Sequence, residues 1–169
     1  MPEGSLSDLS PLQGMRLDVL DVRANRKLSD LTPLKGMPLT QLVLIETQVK
    51  DLSPLKGMPL VRLWCHWTPL SDLTPLQGMA LTEFHAGGSK VSDLSPLKGM
   101  PLMFLELWDT PLSDLSPLKG MPLKYVSYNF KPERDSEILR SIKTLETING
   151  KATAEFWKEV ENKQDKKEK

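Results

Sequence analysis

Apolar residues along this chain follow two alternating patterns. In stretches such as Leu42-x-Leu44 they recur every second position, which predicts a short strand with one buried face. In stretches such as Leu52, Leu55 and Met58 they recur every third position, which predicts a tight 3₁₀-like turn. Ser53 reads as the N-cap of that turn and Pro54 as its first helical residue, since proline is pre-set for that place. Gly57 can take positive φ and reverse the chain, and Pro59 stops further helix. The pair of patterns repeats. The octamer D-L-[ST]-P-L-[KQ]-G-M begins at Asp8, Asp30, Asp51, Asp72, Asp93 and Asp114, with spacings of 22, 21, 21, 21 and 21 residues. A unit that small cannot bury its apolar face alone, so the units must stack. Strands paired at about 4.8 Å would then form a parallel sheet, and six units a curved stack roughly 25–30 Å long.

Two further columns support this register. Asn25, Thr47, Thr68, Ser89 and Thr110 align where each strand ends, where their side chains can bond backbone groups of the turn. Lys131 breaks that column in the sixth unit, so the array is expected to span residues 1–131. The six aligned aspartates each precede the Ser/Thr-Pro pair, where a carboxylate can accept backbone N–H groups at a corner.

Beyond Phe130 the pattern changes. Pro132, the acids that follow it, and the stripe Ile138, Leu139, Ile142 and Leu145 predict an amphipathic helix over 132–146. Asn149-Gly150 predicts a turn, and Phe156, Trp157 and Val160 a second short helix over 152–161. Residues 132–160 are expected to cap the stack. The charged end, 161–169, is expected to be disordered.

The strand unit L-x-x-L-x-L-x-x-[NT]-x-[LV], as in Leu39, Leu42, Leu44, Thr47 and Val49, together with DLSPLKGMPLxxLxL, resembles bacterial leucine-rich repeats of the short internalin-like subtype over about residues 6–130. The resemblance implies an α/β solenoid, a right-handed superhelix of six 21–22-residue units. Gly-Met-Pro stands in place of a longer closing segment, with Met37, Met58, Met79, Met100 and Met121 filling its apolar position. The run FKPERDSEILRSIKTLETINGKATAEFWKEVE is similar to tails of repeat arrays in large bacterial proteins, some headed by serine/threonine kinase domains.

Composition changes the picture mainly by exclusion. Charge is balanced, with 22 basic and 22 acidic residues, which argues against nucleic acid and against an anionic membrane surface. One cysteine, Cys65, allows no internal disulfide; with no signal peptide or membrane span in the sequence, the expectation is a cytoplasmic location, or a place within a larger protein that sets the location. The first unit begins almost at once, so Leu9, Leu12, Leu17 and Leu20 are expected to line an uncovered edge. That edge suggests end-to-end association or an upstream domain.

Candidate chemistry lies in the strand positions that vary from unit to unit. They form the concave face, the default binding surface of a solenoid. The first column reads Val19, Gln41, Arg62, Glu83, Phe104, Tyr125, and the second Asp21, Val43, Trp64, His85, Glu106, Ser127. The third reads Arg23, Ile45, His66, Gly87, Trp108, Asn129, and beyond it come Ala24, Glu46, Trp67, Gly88, Asp109 and Phe130. Exposed aromatics on a rigid sheet make interface hot spots. Arg62, Trp64, His66, Trp67, Glu83, His85, Phe104, Glu106 and Trp108 are therefore the expected binding residues for a protein or peptide. Gly87 and Gly88 are expected to leave a notch between the Trp67 and Trp108 indoles. The packing alternative makes Trp67 a rim cover and Trp64 a shield for the sheet.

Two other readings stand beside this one. The chain could be a regulatory or substrate-docking part of a larger signalling protein such as a serine/threonine kinase. More remotely, His66, His85 and Glu106 on neighbouring strands could hold a metal in an enzyme. No phosphate-binding loop, dinucleotide motif or catalytic triad is present, so no enzyme activity, cofactor or resident metal is expected. Cys65 falls in an inward column, where a free cysteine serves as a small apolar group.

Overall fold

The computed structural model describes residues 5–165. Six strands stack in parallel and in chain order: β1 (Val19–Asp21), β2 (Gln41–Val43), β3 (Arg62–Trp64), β4 (Glu83–His85), β5 (Phe104–Leu107) and β6 (Tyr125–Tyr128). The register is in phase throughout: Leu42 pairs with Leu63, Leu63 with Phe84, Phe84 with Leu105 and Leu105 with Val126. A three-residue 3₁₀ turn on the opposite side precedes each of these strands, from Ser10–Leu12 to Ser116–Leu118. The core lies between the two. It consists of leucine ladders, closed by Met37, Met58, Met79, Met100 and Met121, all buried as expected.

The turn chemistry differs from the sequence reading in one respect. Leucine, not serine or threonine, occupies the cap position, and it offers no side-chain bond. The aspartate does the capping. Asp8, Asp30, Asp51, Asp72, Asp93 and Asp114 each accept the N–H two residues on at 2.8 Å. The hydroxyls of Ser10, Ser53, Thr74, Ser95 and Ser116 bond the same aspartates, and that of Thr32 acts on Asp30. These bonds favour the ionised carboxylate, so Asp8, Asp30, Asp72, Asp93 and Asp114 are held below the usual carboxylate range, with the Ser/Thr hydroxyl bond the main cause. The strand-end column behaves as read. Asn25, Thr47, Thr68 and Thr110 donate to the carbonyl three residues back, at 2.8, 2.7, 2.8 and 2.5 Å.

At the C-terminal end, α1 (Pro132–Ser141) is shorter than the expected 132–146. Its buried Asp135 accepts the Lys131 N–H at 2.7 Å and is clasped by Arg134, whose guanidinium also reaches the Leu112 carbonyl. A hairpin not foreseen in the sequence follows: β7 (Thr147–Ile148) continues the parallel sheet on β6, and β8 (Lys151–Ala152) turns back on it through Asn149-Gly150. The second helix, α2 (Thr153–Asp165), is longer than expected. Residues 161–165, expected to be disordered, are helical, and 166–169 lie outside the described residues. Phe130, Phe156 and Trp157 pack edge to face at 4.9–5.9 Å and seal the cap onto the last unit. At the other end Leu9 is buried, against expectation, while Leu12, Leu17 and Leu20 are only partly buried. Among the described residues no helix is long and apolar enough to cross a membrane.

Candidate concave binding site

In-phase pairing sets each strand about 4.8 Å from the next and lines up its outward side chains. On β3, β4 and β5 those side chains are large, and they bond across strands. Trp64 donates its indole N–H to Glu83 at 2.8 Å and stacks on His85, 5.6 Å between centroids and 11° from parallel. Arg62 lies 3.3 Å from the same glutamate. His66 accepts the Gly87 N–H on Nδ1 at 3.0 Å, and its Nε2 lies 3.2 Å from Glu106. Trp108 stacks on His66 at 5.3 Å, and Trp67 meets Trp108 edge to face at 5.1 Å. His66 and His85 are 5.5 Å apart. Eight of the nine expected site residues thus form one connected strip, with the five rings Trp64, His85, His66, Trp108 and Trp67 in continuous contact. Phe104, 40% exposed, stands in register between Glu83 and Tyr125, outside the bonded network.

The notch expected at Gly87 and Gly88 is filled. A Cβ on Gly87 would lie 2.3 Å from the Trp108 ring, and one on Gly88 2.7 Å from Trp67. The glycines therefore make room for the indoles to lie down on the backbone. Val43, in the outward column, is also buried because the indole of Trp64 stands beside it in register.

Electrostatics set the protonation of the strip. Since Nδ1 of His66 accepts an N–H, its proton sits on Nε2 and points at Glu106. This bond, with help from the histidines and Tyr125, holds Glu106 below the usual carboxylate range against the opposing effect of burial. His85 has Glu83 3.2 Å from Nε2 and Glu106 3.6 Å from Nδ1. Burial nevertheless pulls its pKa below the ordinary histidine value, against the pull of the two carboxylates. Neutral His85 carries one proton, and its buried Nε2 makes no hydrogen bond. Tyr125, whose role in supporting Glu106 the sequence reading passed over, shares a column with Phe104; that column was the available signal.

The ligand atoms of His66, His85 and Glu106 lie within 4.8 Å of one another, the spacing a metal needs. The hydrogen bonds oppose that use. A metal on Nε2 of His66 would require the proton on Nδ1, where the Gly87 N–H already points. Cys65 is buried, its thiol pKa pushed up by burial, and its S–H contacts the His85 carbonyl at 3.3 Å, so this thiol is not an activated nucleophile.

One backbone feature bears on Trp67. A position two or three residues past the strand takes left-handed φ in each of the first five units: Ala24 at 63°, Glu46 at 56°, Trp67 at 51°, Gly88 at 69° and Asp109 at 55°. Glycine and aspartate suit that geometry and a bulky tryptophan does not, at a cost of about 1 kcal/mol. Yet Trp67 is 54% exposed, so packing alone does not account for it. It also walls an open hollow of about 360 Å³ shared with Arg26, Glu46 and Gln48.

Among solved structures, the chain is similar to internalin C2 of Listeria monocytogenes, with 34% identity and a TM-score of 0.71 over 74% of this chain. A second internalin of that organism, inlF, gives 27% identity and a TM-score of 0.76 over 86%. The fold is a leucine-rich-repeat solenoid. The chain spans only part of those neighbours, 57% of the first and 45% of the second. No protein-family model and no curated protein matches the sequence. The likeness to internalins extends to the architecture of the leucine-rich-repeat array, its parallel sheet and its short 3₁₀ turns.

Proposed function

We propose that this chain is a protein-interaction module that binds a peptide or protein segment on the concave strip formed by Arg62, Trp64, His66, Trp67, Glu83, His85, Phe104, Glu106 and Trp108. The observation that carries the reading is Trp67. It combines a left-handed backbone, φ 51°, that a bulky side chain seldom adopts with a 54% exposed indole, and local strain of this kind collects where ligands bind. The surrounding network holds the indoles in place before any partner arrives, which lowers the ordering cost of binding. The solenoid class itself, with internalins as structural neighbours, supports a binding role over a catalytic one.

The test is selection from a displayed peptide library on the full chain and on Trp67→Gly. The wild type should enrich a peptide family, and Trp67→Gly should hold those peptides at least ~10-fold more weakly, as expected for an aromatic hot spot. Equal retention by both proteins would contradict the reading.

A further inference from the structure

The strip is short of positive charge. Over β3, β4 and β5 and the positions that follow them, Arg62 is the one permanent cation, against Glu83, Glu106 and Asp109. The whole chain is balanced at 22 and 22, so this is a local excess of acid. The two histidines do not correct it. His66 spends its single proton on Glu106 while its other nitrogen accepts from Gly87. His85 sits between two carboxylates with its pKa depressed by burial, so at neutral pH at least one of them faces a nitrogen without a proton.

A ligand that covers the strip must answer for these carboxylates. Glu83 and Glu106 retain 18% and 23% side-chain exposure, and a partner would remove that water. An apolar or acidic partner would take the remaining water from Glu83 and Glu106 and leave them only the Trp64 and His66 N–H groups and the half-exposed Arg62, which is costly. A cation would be attracted by both carboxylates and by the faces of the indoles around them. Its methylenes could lie on Phe104, which projects beside Glu83 and is left uncovered.

We infer that the ligand presents a cationic side chain, arginine or lysine, to Glu83 and Glu106 between the indoles of the strip. This rests on the peptide-binding reading above and narrows it to one partner chemistry.

The test uses synthetic octapeptide arrays probed with the full chain at neutral pH. Random octapeptides come first, followed by the retained sequences resynthesised with each arginine replaced by citrulline, its uncharged isostere. Retained peptides should be enriched in arginine or lysine, and citrulline at the key position should weaken binding by ~10-fold or more. Glu83→Gln and Glu106→Gln should lower the preference for arginine over citrulline, with melting curves to establish that each variant folds. The citrulline series on the unaltered protein decides the matter even if neither variant folds. Enrichment of acidic or uncharged peptides, or indifference to citrulline, would overturn the inference and leave the binding module standing. No peptide retained above the Trp67→Gly background would overturn the binding module itself, and the inference with it.

Discussion

The 3₁₀ side and the strand side of this solenoid satisfy their polar groups in opposite ways. On the 3₁₀ side every aspartate bonds the residue two places on, within its own unit, and the same arrangement recurs from Asp8 to Asp114. On the strand side the bonds run between units: Trp64 to Glu83, Gly87 to His66, and His66 to Glu106. Local satisfaction can be copied from unit to unit without regard to neighbours, which is why that side is nearly invariant. Bonding between units requires a different side chain at each step, so the concave face cannot repeat where it is built to a particular shape. The contrast separates what builds the stack from what the stack displays.

The largest effects belong to the framework side. Leu63→Ala empties a fully buried ladder position and should lower stability by about 2–5 kcal/mol in chemical denaturation. A loss well under 1 kcal/mol would mean that the ladders are looser than their burial implies. Gly87→Ala comes next. Its methyl group would collide with the Trp108 ring, so Trp108 must leave His66, with an expected loss of about 1–3 kcal/mol and a change in tryptophan fluorescence. Unchanged fluorescence would show that the indole does not lie where it is described.

Acid supplies a third test. A histidine with a lowered folded pKa gives stability that is complete above its unfolded value of about 6.5 and is lost as pH falls through the folded value. The melting temperature should therefore fall on acidification below about pH 6.5, and less steeply in His85→Gln. Because Trp64 stacks on His85, intrinsic fluorescence should titrate in the same window and lose that step in the variant. A fluorescence step that persists without His85 would assign the proton elsewhere. The smallest effect concerns metal. Added zinc should leave the melting temperature unchanged, since His66 has no proton arrangement suited to it. A rise abolished by His66→Ala would reverse that conclusion.

The framework was legible in the sequence because its positions recur and each serves its own unit. The octamer period gave the stacking, the buried methionines and the strand-end bonds of Thr47 and Thr68. The strand columns likewise place the candidate residues on one face, since in-phase parallel pairing keeps a column intact. What the sequence misled about was occupancy. A pair of glycines reads as empty space, but only the folded chain shows that Trp67 and Trp108 move into it. The β7–β8 hairpin has two-residue strands, too short for any period to register. The charged end of α2 reads as disordered by composition, yet Glu159 and Lys163 stand four apart, a spacing that supports helix, and the helix continues to Asp165. Ser or Thr before proline reads as the cap of each 3₁₀ turn, whereas the carboxylate two residues earlier takes that role.

On the proposed function, Trp67 is kept for a partner and not for the fold. Trp67→Gly tests it most directly, measured twice on the same preparation: thermal melting, and affinity for a peptide selected on the wild type. Glycine relieves the left-handed backbone while the indole contacts with Trp108 are lost, so stability should stay within about 1 kcal/mol of wild type as binding falls at least ~10-fold. Unfolding with the substitution, or a folded variant that binds as well as before, would make Trp67 a packing residue and remove the basis for the site.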